Sequence, residues 1–364
     1  MSNSKTVLVL DAGGTNLVFN AVRDDKINEK TFTLPAKSDS LESLLKKIIH
    51  GFREINKLTG GRADAISFCF PGPADFENGI IGDLENLPFF RGGIPLKKML
   101  ENEFRIPAFI NNDGDLFALG EAIGGILPEV NKALKDHNVH KQYKNLLGVT
   151  LGTGFGGGIV SNGKLFLGDN SAGAEINRIV NPVNREQSVE EILSIRGIKR
   201  LFSEKTGIPF EKSPDPYSIF KIGMGKKKGA QEAAIAAWRE FGEVLADALA
   251  NALTLVDGIA VIGGGLSGAY PLFLPATIEK MNRFFTKPGG GQVSRMEVTA
   301  YNLDDTDGFR EFLHRDEKMV SVPFSDQEVP YLPEKKVGIG ITRLGTSRAV
   351  AVGAYAFAAN RLKG

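Results

Sequence analysis

Apolar positions along the chain follow two periods. Short continuous runs ended by glycine occur at residues 6–10 (TVLVL), 146–151 (LLGVTL) and 259–262 (IAVI). Runs of this length predict strands covered on both faces. After the first two, a second apolar run follows at once, at 17–22 (LVFNAV) and 158–160 (GIV). Each of these glycine turns therefore closes a hairpin, whereas a Rossmann or P-loop unit runs from strand into helix. Helical spacing predicts helices over 41–55, 115–123, 230–255 and 347–360. The two hairpins look like copies of one unit, which predicts two similar α/β halves.

A chain of 364 residues suits two hydrophobic cores better than one. The first domain is expected over residues 1–115, joined by the C-terminal helix at 347–364, and a larger second domain over 116–346. Three stretches read as insertions or loops. Residues 127–145 carry His137 and His140, 203–228 end in Lys226-Lys227-Lys228, and 289–334 combine a glycine run with Pro323, Pro330 and Pro333. The lysine run reads as solvated surface, and the two histidines as exposed groups with no special role.

Composition narrows the function classes. Lys+Arg at 44 against Asp+Glu at 43 gives a net charge of +1, without the basic excess of a nucleic-acid footprint. The single cysteine, Cys69, excludes a disulfide framework and a multi-cysteine zinc site, and fits a reducing compartment. No apolar run approaches the roughly 18 residues needed to span a bilayer, and the N-terminus enters a strand without a signal-peptide pattern. A soluble, cytoplasmic protein without nucleic-acid or membrane partners is expected. The 43 glycines, about 12% against a usual ~7%, are clustered.

The clusters carry the candidate chemistry. In Asp11-Ala12-Gly13-Gly14-Thr15-Asn16, a glycine turn between strands exposes successive backbone N–H groups to a phosphate. Thr15 adds a hydroxyl, and Asp11 at the strand end can hold a hydrated Mg²⁺. The plain alternative is a hairpin turn whose glycines only supply positive φ. The second hairpin, Gly152-Thr153-Gly154 followed by Phe155 and Gly156-Gly157-Gly158, repeats the arrangement. A third cluster, Gly263-Gly264-Gly265, ends a strand and lets a flat ring lie against the backbone. Three such turns favour a nucleotide site. Asn112, Asp113, Glu175 and Glu190 are amide and carboxylate side chains able to bind hydroxyl groups. Asp113 follows the apolar run 108–110, where an N-cap is its alternative role, one that Asp115 is equally able to fill.

DAGGTN (11–16), FPGP (70–73), NND (111–113), LGTGFGGG (151–158), SAGAE (171–175) and IGGGLS (262–267) occur in that order. The ordered set resembles the ROK family of bacterial sugar kinases, within the actin/hexokinase/Hsp70 superfamily, from residue 7 to GAYAFAAN at 353–360. The resemblance implies two RNase H-like α/β domains with a cleft between them, and ATP- and Mg²⁺-dependent phosphorylation of a hexose. It implies that the DAGGT and LGTG hairpins hold the phosphates and that IGGGLS packs against adenosine. Asp113 matches the general base and Asn112 a sugar contact. Glu175 and Glu190 match sugar-binding carboxylates, with Glu191 one register away. A homodimer is in keeping with the family.

The chain departs from the family pattern at two points. It lacks the CxCGxxGC zinc motif, and Arg178 stands where a histidine is usual. Arg178 is placed to bind a sugar hydroxyl, to pair with Glu175 or Glu190, or to face solvent. The hexose thus stays open: glucose at its 6-hydroxyl leads, with fructose, mannose and N-acetylhexosamines behind it. Only ten residues precede Asp11, too few for the helix-turn-helix of ROK repressors. A non-catalytic sugar sensor is the remaining alternative.

Overall fold

The computed structural model describes residues 5–363, except 13–15, 24–25, 28–29, 73 and 85–86. The chain divides into two units, one comprising residues 1–125, 157–174 and 343–364, the other 126–156 and 175–342.

The first unit opens with β1 (Thr6–Ala12), β2 (Asn16–Arg23), β3 (Lys26–Ile27) and β4 (Phe32–Pro35), then α1 (Leu41–Leu58) and β5 (Ala65–Cys69). A small antiparallel sheet follows, β6 (Ala74–Asp75), β7 (Ile80–Ile81) and β8 (Ile94–Pro95), and then α2 (Leu96–Phe104), β9 (Ala108–Asn111) and α3 (Asp113–Gly124). The main sheet has the order β3-β2-β1-β5-β9, with β4 also on β2. Its β1–β2 pair is antiparallel, and β1–β5 and β5–β9 are parallel. Helix α1 buries Leu44, Ile48, Phe52 and Ile55, an i, i+4, i+8, i+11 stripe that sets Phe52 edge-on to Phe19 of β2 at 5.1 Å. Such buried apolar stripes are what hold a helix on a sheet.

The second unit begins at α4 (Ile126–Asp136) and runs into β10 (Asn145–Leu151) and the start of β11 (Phe155–Ser161), while the rest of β11 and β12 (Lys164–Leu165) fall within the 157–174 segment counted with the first unit. The helices α5 (Ile195–Thr206), α6 (Pro216–Gly223) and α7 (Gln231–Val256) precede β13 (Ile259–Gly263) and α8 (Tyr270–Met281). Then come β14 (Phe284–Thr286), β15 (Gln292–Ser294), β16 (Thr299–Asn302), α9 (Thr306–Leu313), β17 (Lys318–Ser321), β18 (Glu328–Tyr331) and β19 (Lys336–Ile341). The sheet order is β12-β11-β10-β13-β19-β16, with β10, β13, β19 and β16 parallel. Trp238 and Phe241 of α7 pack on Phe273 of α8 at ring separations of 6.0 and 5.7 Å. Helix α10 (Thr346–Arg361) closes the chain and packs on α3 in the first unit.

Each sheet thus joins a hairpin to parallel strands, β2-β1-β5-β9 and β11-β10-β13-β19, which is the internal repeat expected from the glycine hairpins. The stretches read as loops hold more structure than that. Residues 126–136 fold as α4 because Ile126, Leu127, Val130 and Leu134 share one buried face. The polar residues between them cover the other face. Residues 289–334 contain the edge strand β16 and α9 as well as exposed hairpin.

Candidate active site

In the first unit the C-terminal ends of three strands gather the acidic candidates. Asp11 and Ala12 of β1 pair with Val18 and Leu17 of β2, so the DAGGTN turn does connect two antiparallel strands, with Asn16 opening β2. Gly13, Gly14 and Thr15 lie outside the described residues. On the parallel side, Cys69 at the end of β5 pairs with Asn111 at the end of β9. Burial pushes the Cys69 thiol well above its ordinary range, and the charges of Asp113 and Asp11 push it further. Because β1, β5 and β9 run parallel, their C-terminal ends bring Asp11, Cys69 and Asn111, with Asp113 just after it, to the same end of the sheet.

Asp113 is the first residue of α3. The cap is Asn112, whose Oδ1 accepts from the Gly114 N–H at 2.7 Å, and the Asp113 Oδ1 shares that donor at 2.8 Å. Neither Asp113 nor Asp115 is the cap. Asp115 lies inside the helix and is buried. The surrounding protein strips water from the Asp113 carboxyl and raises its pKa, outweighing the N–H contacts that favour the charged form, although the residue stays accessible to solvent. A close backbone contact fixes this turn. A side chain at Gly158 would collide with the carbonyl of Gly114, and one at Gly114 with the carbonyl of Gly157. The last two glycines of LGTGFGGG therefore bring β11 against the start of α3, directly behind Asp113.

In the second unit two turns meet at Leu151. The 152–154 turn is closed by the Gly152 N–H donating to the Gly154 carbonyl at 2.9 Å. The Leu151 carbonyl accepts from the Leu266 N–H at 3.0 Å, which ties the IGGGLS turn to it. Gly263 is buried in β13, and Gly264 sits at φ +86° with no room for a side chain beside Leu151. Gly152 and Gly265 differ: nothing lies within 4 Å of where a Cβ would stand on either, and neither has a left-handed backbone. Thr153 at the tip is exposed. Glu190 reaches the same turn, its Oε2 accepting from the Phe155 N–H at 3.0 Å and its Oε1 from Arg196 at 3.1 Å. Glu191 points instead to Arg196 and Arg200, and the Arg196 guanidinium holds its carboxyl below the usual range. Of the two neighbours, Glu190 is the one at the glycine turn.

The SAGAE segment carries two non-glycine residues at positive φ, Ser171 at 53° and Ala174 at 62°, a backbone state that is costly for such residues and is found most often at functional sites. Glu175 follows, exposed, and opens a short 3-10 turn over Ile176–Arg178. Glu190 pairs with Arg196, not Arg178, and among the described residues no ion pair joins Arg178 to Glu175. Arg178 is exposed, which leaves its solvent and sugar-binding alternatives.

The ROK family model matches residues 7–310. The chain belongs to the ROK family. A solved relative, glucokinase from Parabacteroides distasonis, is 45% identical, with a TM-score of 0.89 over 99% of this chain and 98% of that one. The N-acetyl-D-glucosamine kinase of Vibrio cholerae is 28% identical over 71% of this chain and 83% of its own. A ROK family glucokinase from Streptomyces griseus, solved with glucose and AMPPNP, has a TM-score of 0.61 at 17% identity, over 97% of this chain and 98% of that one. The fold is the mixed α/β, actin/hexokinase type of these ROK sugar kinases.

The structure also places residues that no motif flags. Asp11 rims a hollow of about 630 Å³ shared with Asn20, Lys26, Ser347 and Arg348. Ser347 and Arg348 come from α10, far along the sequence, and no motif marks them. Glu121, wholly buried in α3, accepts from the backbone N–H groups of Arg343 and Leu344 at 3.1 Å and anchors the approach to α10. Its only sequence signal was a lone charge within the otherwise apolar run LFALGEAIG at 116–124. Among the described residues no three His, Cys, Asp or Glu side chains converge to hold a metal, and no helix is long and apolar enough to cross a membrane.

Proposed function

We propose that this ROK protein is an ATP-dependent hexose kinase with Asp113 as general base. The observation that carries the reading is the environment of Asp113. It is a carboxyl of raised proton affinity on the first turn of a helix, at the same end of the sheet as Asp11, held by backbone packing that leaves no slack. A base of raised pKa takes a proton from a sugar hydroxyl more readily than an ordinary aspartate. As the hydroxyl oxygen bonds to the γ-phosphorus, its proton passes to the Asp113 carboxylate and the bond from the γ-phosphorus to the departing ADP oxygen breaks. The amide N–H₂ of Asn112 remains able to donate to a neighbouring hydroxyl while its Oδ1 caps α3.

On this reading the hairpin turns at 11–16 and 152–154 hold the phosphates, and the open face of Gly265 takes the adenine nucleoside. Glu175, Arg178 and Glu190 complete the sugar contacts. Mg²⁺ neutralises phosphate charge when bound, and Asp11 would hold it through water. One exposed carboxylate suits a cation that keeps most of its ligands as water and phosphate oxygens. Glucose is the leading hexose because the glucokinase of Parabacteroides distasonis is 45% identical over nearly the whole chain. The N-acetyl-D-glucosamine kinase of Vibrio cholerae makes N-acetylglucosamine the second reading.

The test is ADP release from ATP and Mg²⁺ across glucose, fructose, mannose and N-acetylhexosamines, with Asp113→Asn as the blank. Turnover on one sugar that vanishes in the variant supports the assignment and names the substrate. Sugar binding without turnover on any of them would leave a sugar sensor as the better reading.

A further inference from the structure

One hollow of the first unit takes no part in the proposed reaction. Its volume is about 350 Å³, and neither Asn112 nor Asp113 lines it. It lies beside β9, the edge strand of the sheet. Three segments far apart in sequence enclose it: residues 76–77 with Lys97, residues 165–171, and the end of α10 at Phe357 and Arg361. All of them belong to the first unit.

The buried end of β9 supplies an unmet donor. Asn111, the last residue of that strand, is 1% exposed, and its side chain lines the hollow. Its Nδ2 has no hydrogen-bond partner among the described residues. A buried amide N–H left unpaired is costly, so its presence in a folded protein calls for a reason. The backbone holds Asn111 in place, paired with Cys69 of β5 and accepting from the Phe70 N–H at 3.0 Å. Ser171, at φ +53°, adds a hydroxyl to the same hollow.

The rest of the lining narrows what could meet that donor. Phe109 and Phe357, edge to face at 5.9 Å, form an apolar wall with Phe76. Glu77 and Asp169 offset Lys97 and Arg361, so the lining carries no net charge. The Lys97 ammonium donates to the Glu77 carbonyl at 2.8 Å, and the Arg361 guanidinium lies 5.4 Å from the Phe357 ring. A balanced lining selects a neutral ligand over an ion. Aromatic walls with a few converging amide, hydroxyl and carboxylate groups suit a ring that is apolar on its face and polar at its edge. A sugar is such a ring. The volume falls within the range of about 300–1,000 Å³ usual for small-molecule sites, and far exceeds the ~30 Å³ of one water.

We propose that this hollow binds a neutral sugar ring, separate from the sugar that is phosphorylated, with the Asn111 Nδ2 donating to one of its oxygens. Asn111 adjoins Asn112, so a sugar held there bears on the strand end that leads to Asp113.

The test counts sugars bound per chain, by equilibrium dialysis of the full chain against labelled glucose and, separately, labelled N-acetylglucosamine. Wild type is expected to take two of one or the other. Asn111→Leu removes the donor at nearly constant volume and should weaken one of the two sites about tenfold. Leu167→Trp, at a half-buried position of the lining, fills the hollow and should leave one sugar per chain, with the acceptor KM near wild type. Melting curves close to wild type establish that both variants are folded. A single sugar per wild-type chain overturns the proposal, the hollow then holding water only, and leaves the kinase reading standing. Folded variants that still take two sugars with unchanged affinity overturn it as well.

Discussion

Within seven residues of the second hairpin, glycine serves two different purposes. At Gly157 and Gly158 the chain itself demands it, because β11 and the start of α3 approach too closely for any side chain. At Gly152 nothing in the chain does, since the backbone is not left-handed and open space lies over the Cα. The IGGG turn repeats the contrast, with Gly264 held by its positive φ and by Leu151, and Gly265 facing open space. Packed glycines are explained by the fold. Gly152 and Gly265 are not explained by packing, and on the proposed reading they leave the backbone open to the nucleotide. The glycine count alone cannot separate the two purposes; the surroundings of each residue do.

The largest test of this division lies at the base that the packed glycines support. Asp113→Asn is expected to lower kcat by about 10²–10⁴-fold while leaving the sugar Kd near wild type, read by steady-state kinetics and calorimetry. Gly158→Ala comes next. Its methyl has to displace the backbone at Gly114 and Asp115, at a cost of about 1–3 kcal/mol as for other overpacked sites, and it shifts Asp113. A lower Tm together with a lower kcat is expected; an unchanged Tm would show that β11 has room to move.

Gly265→Ala should behave in the opposite way. At a compatible backbone, Gly→Ala stabilises by about 0.4–1 kcal/mol through the unfolded chain, so Tm should hold or rise while the KM for ATP rises. A variant with wild-type KM would remove Gly265 from the nucleotide site. The smallest effect is in pH dependence. The raised pKa of Asp113 places the acid limb of kcat/KM above the ordinary aspartate value of about 3.9. Because the folded state holds this proton more tightly than the unfolded chain, its stabilising contribution is full below the unfolded pKa and lost as pH rises through the folded one. Asp113→Asn should therefore melt slightly higher than wild type at neutral pH, with the difference closing in acid.

Elements with strong periodicity were legible in the sequence. The predicted helix at 41–55 is α1, and that at 230–255 is α7, each within three residues at either end. Both glycine hairpins also appear where the apolar runs placed them. What stayed hidden depended on partners distant in sequence or on choices among equivalent residues. Asn112, Asp113 and Asp115 are all capping types, and only the 2.7 Å contact to Gly114 selects Asn112. Glu190 and Glu191 are chemically identical, and what separates them is which one meets the Phe155 N–H. The partner of the FGGG glycines is a helix start some forty residues upstream, beyond the reach of any local pattern. Helix α4 was masked by its many polar residues, which lie on its outer face.

The chain passes between its two units four times, at 125/126, 156/157, 174/175 and 342/343. Glu121 therefore waits for N–H groups 222 residues downstream, and α3 waits equally long for α10. During synthesis the first unit has to hold an open, apolar flank while the whole second unit emerges. Folding that depends on contacts so distant is slow and exposed to aggregation. Demand for chaperones should therefore be greatest before α10 leaves the ribosome, and a chain halted there should be cleaved by protease first around α3.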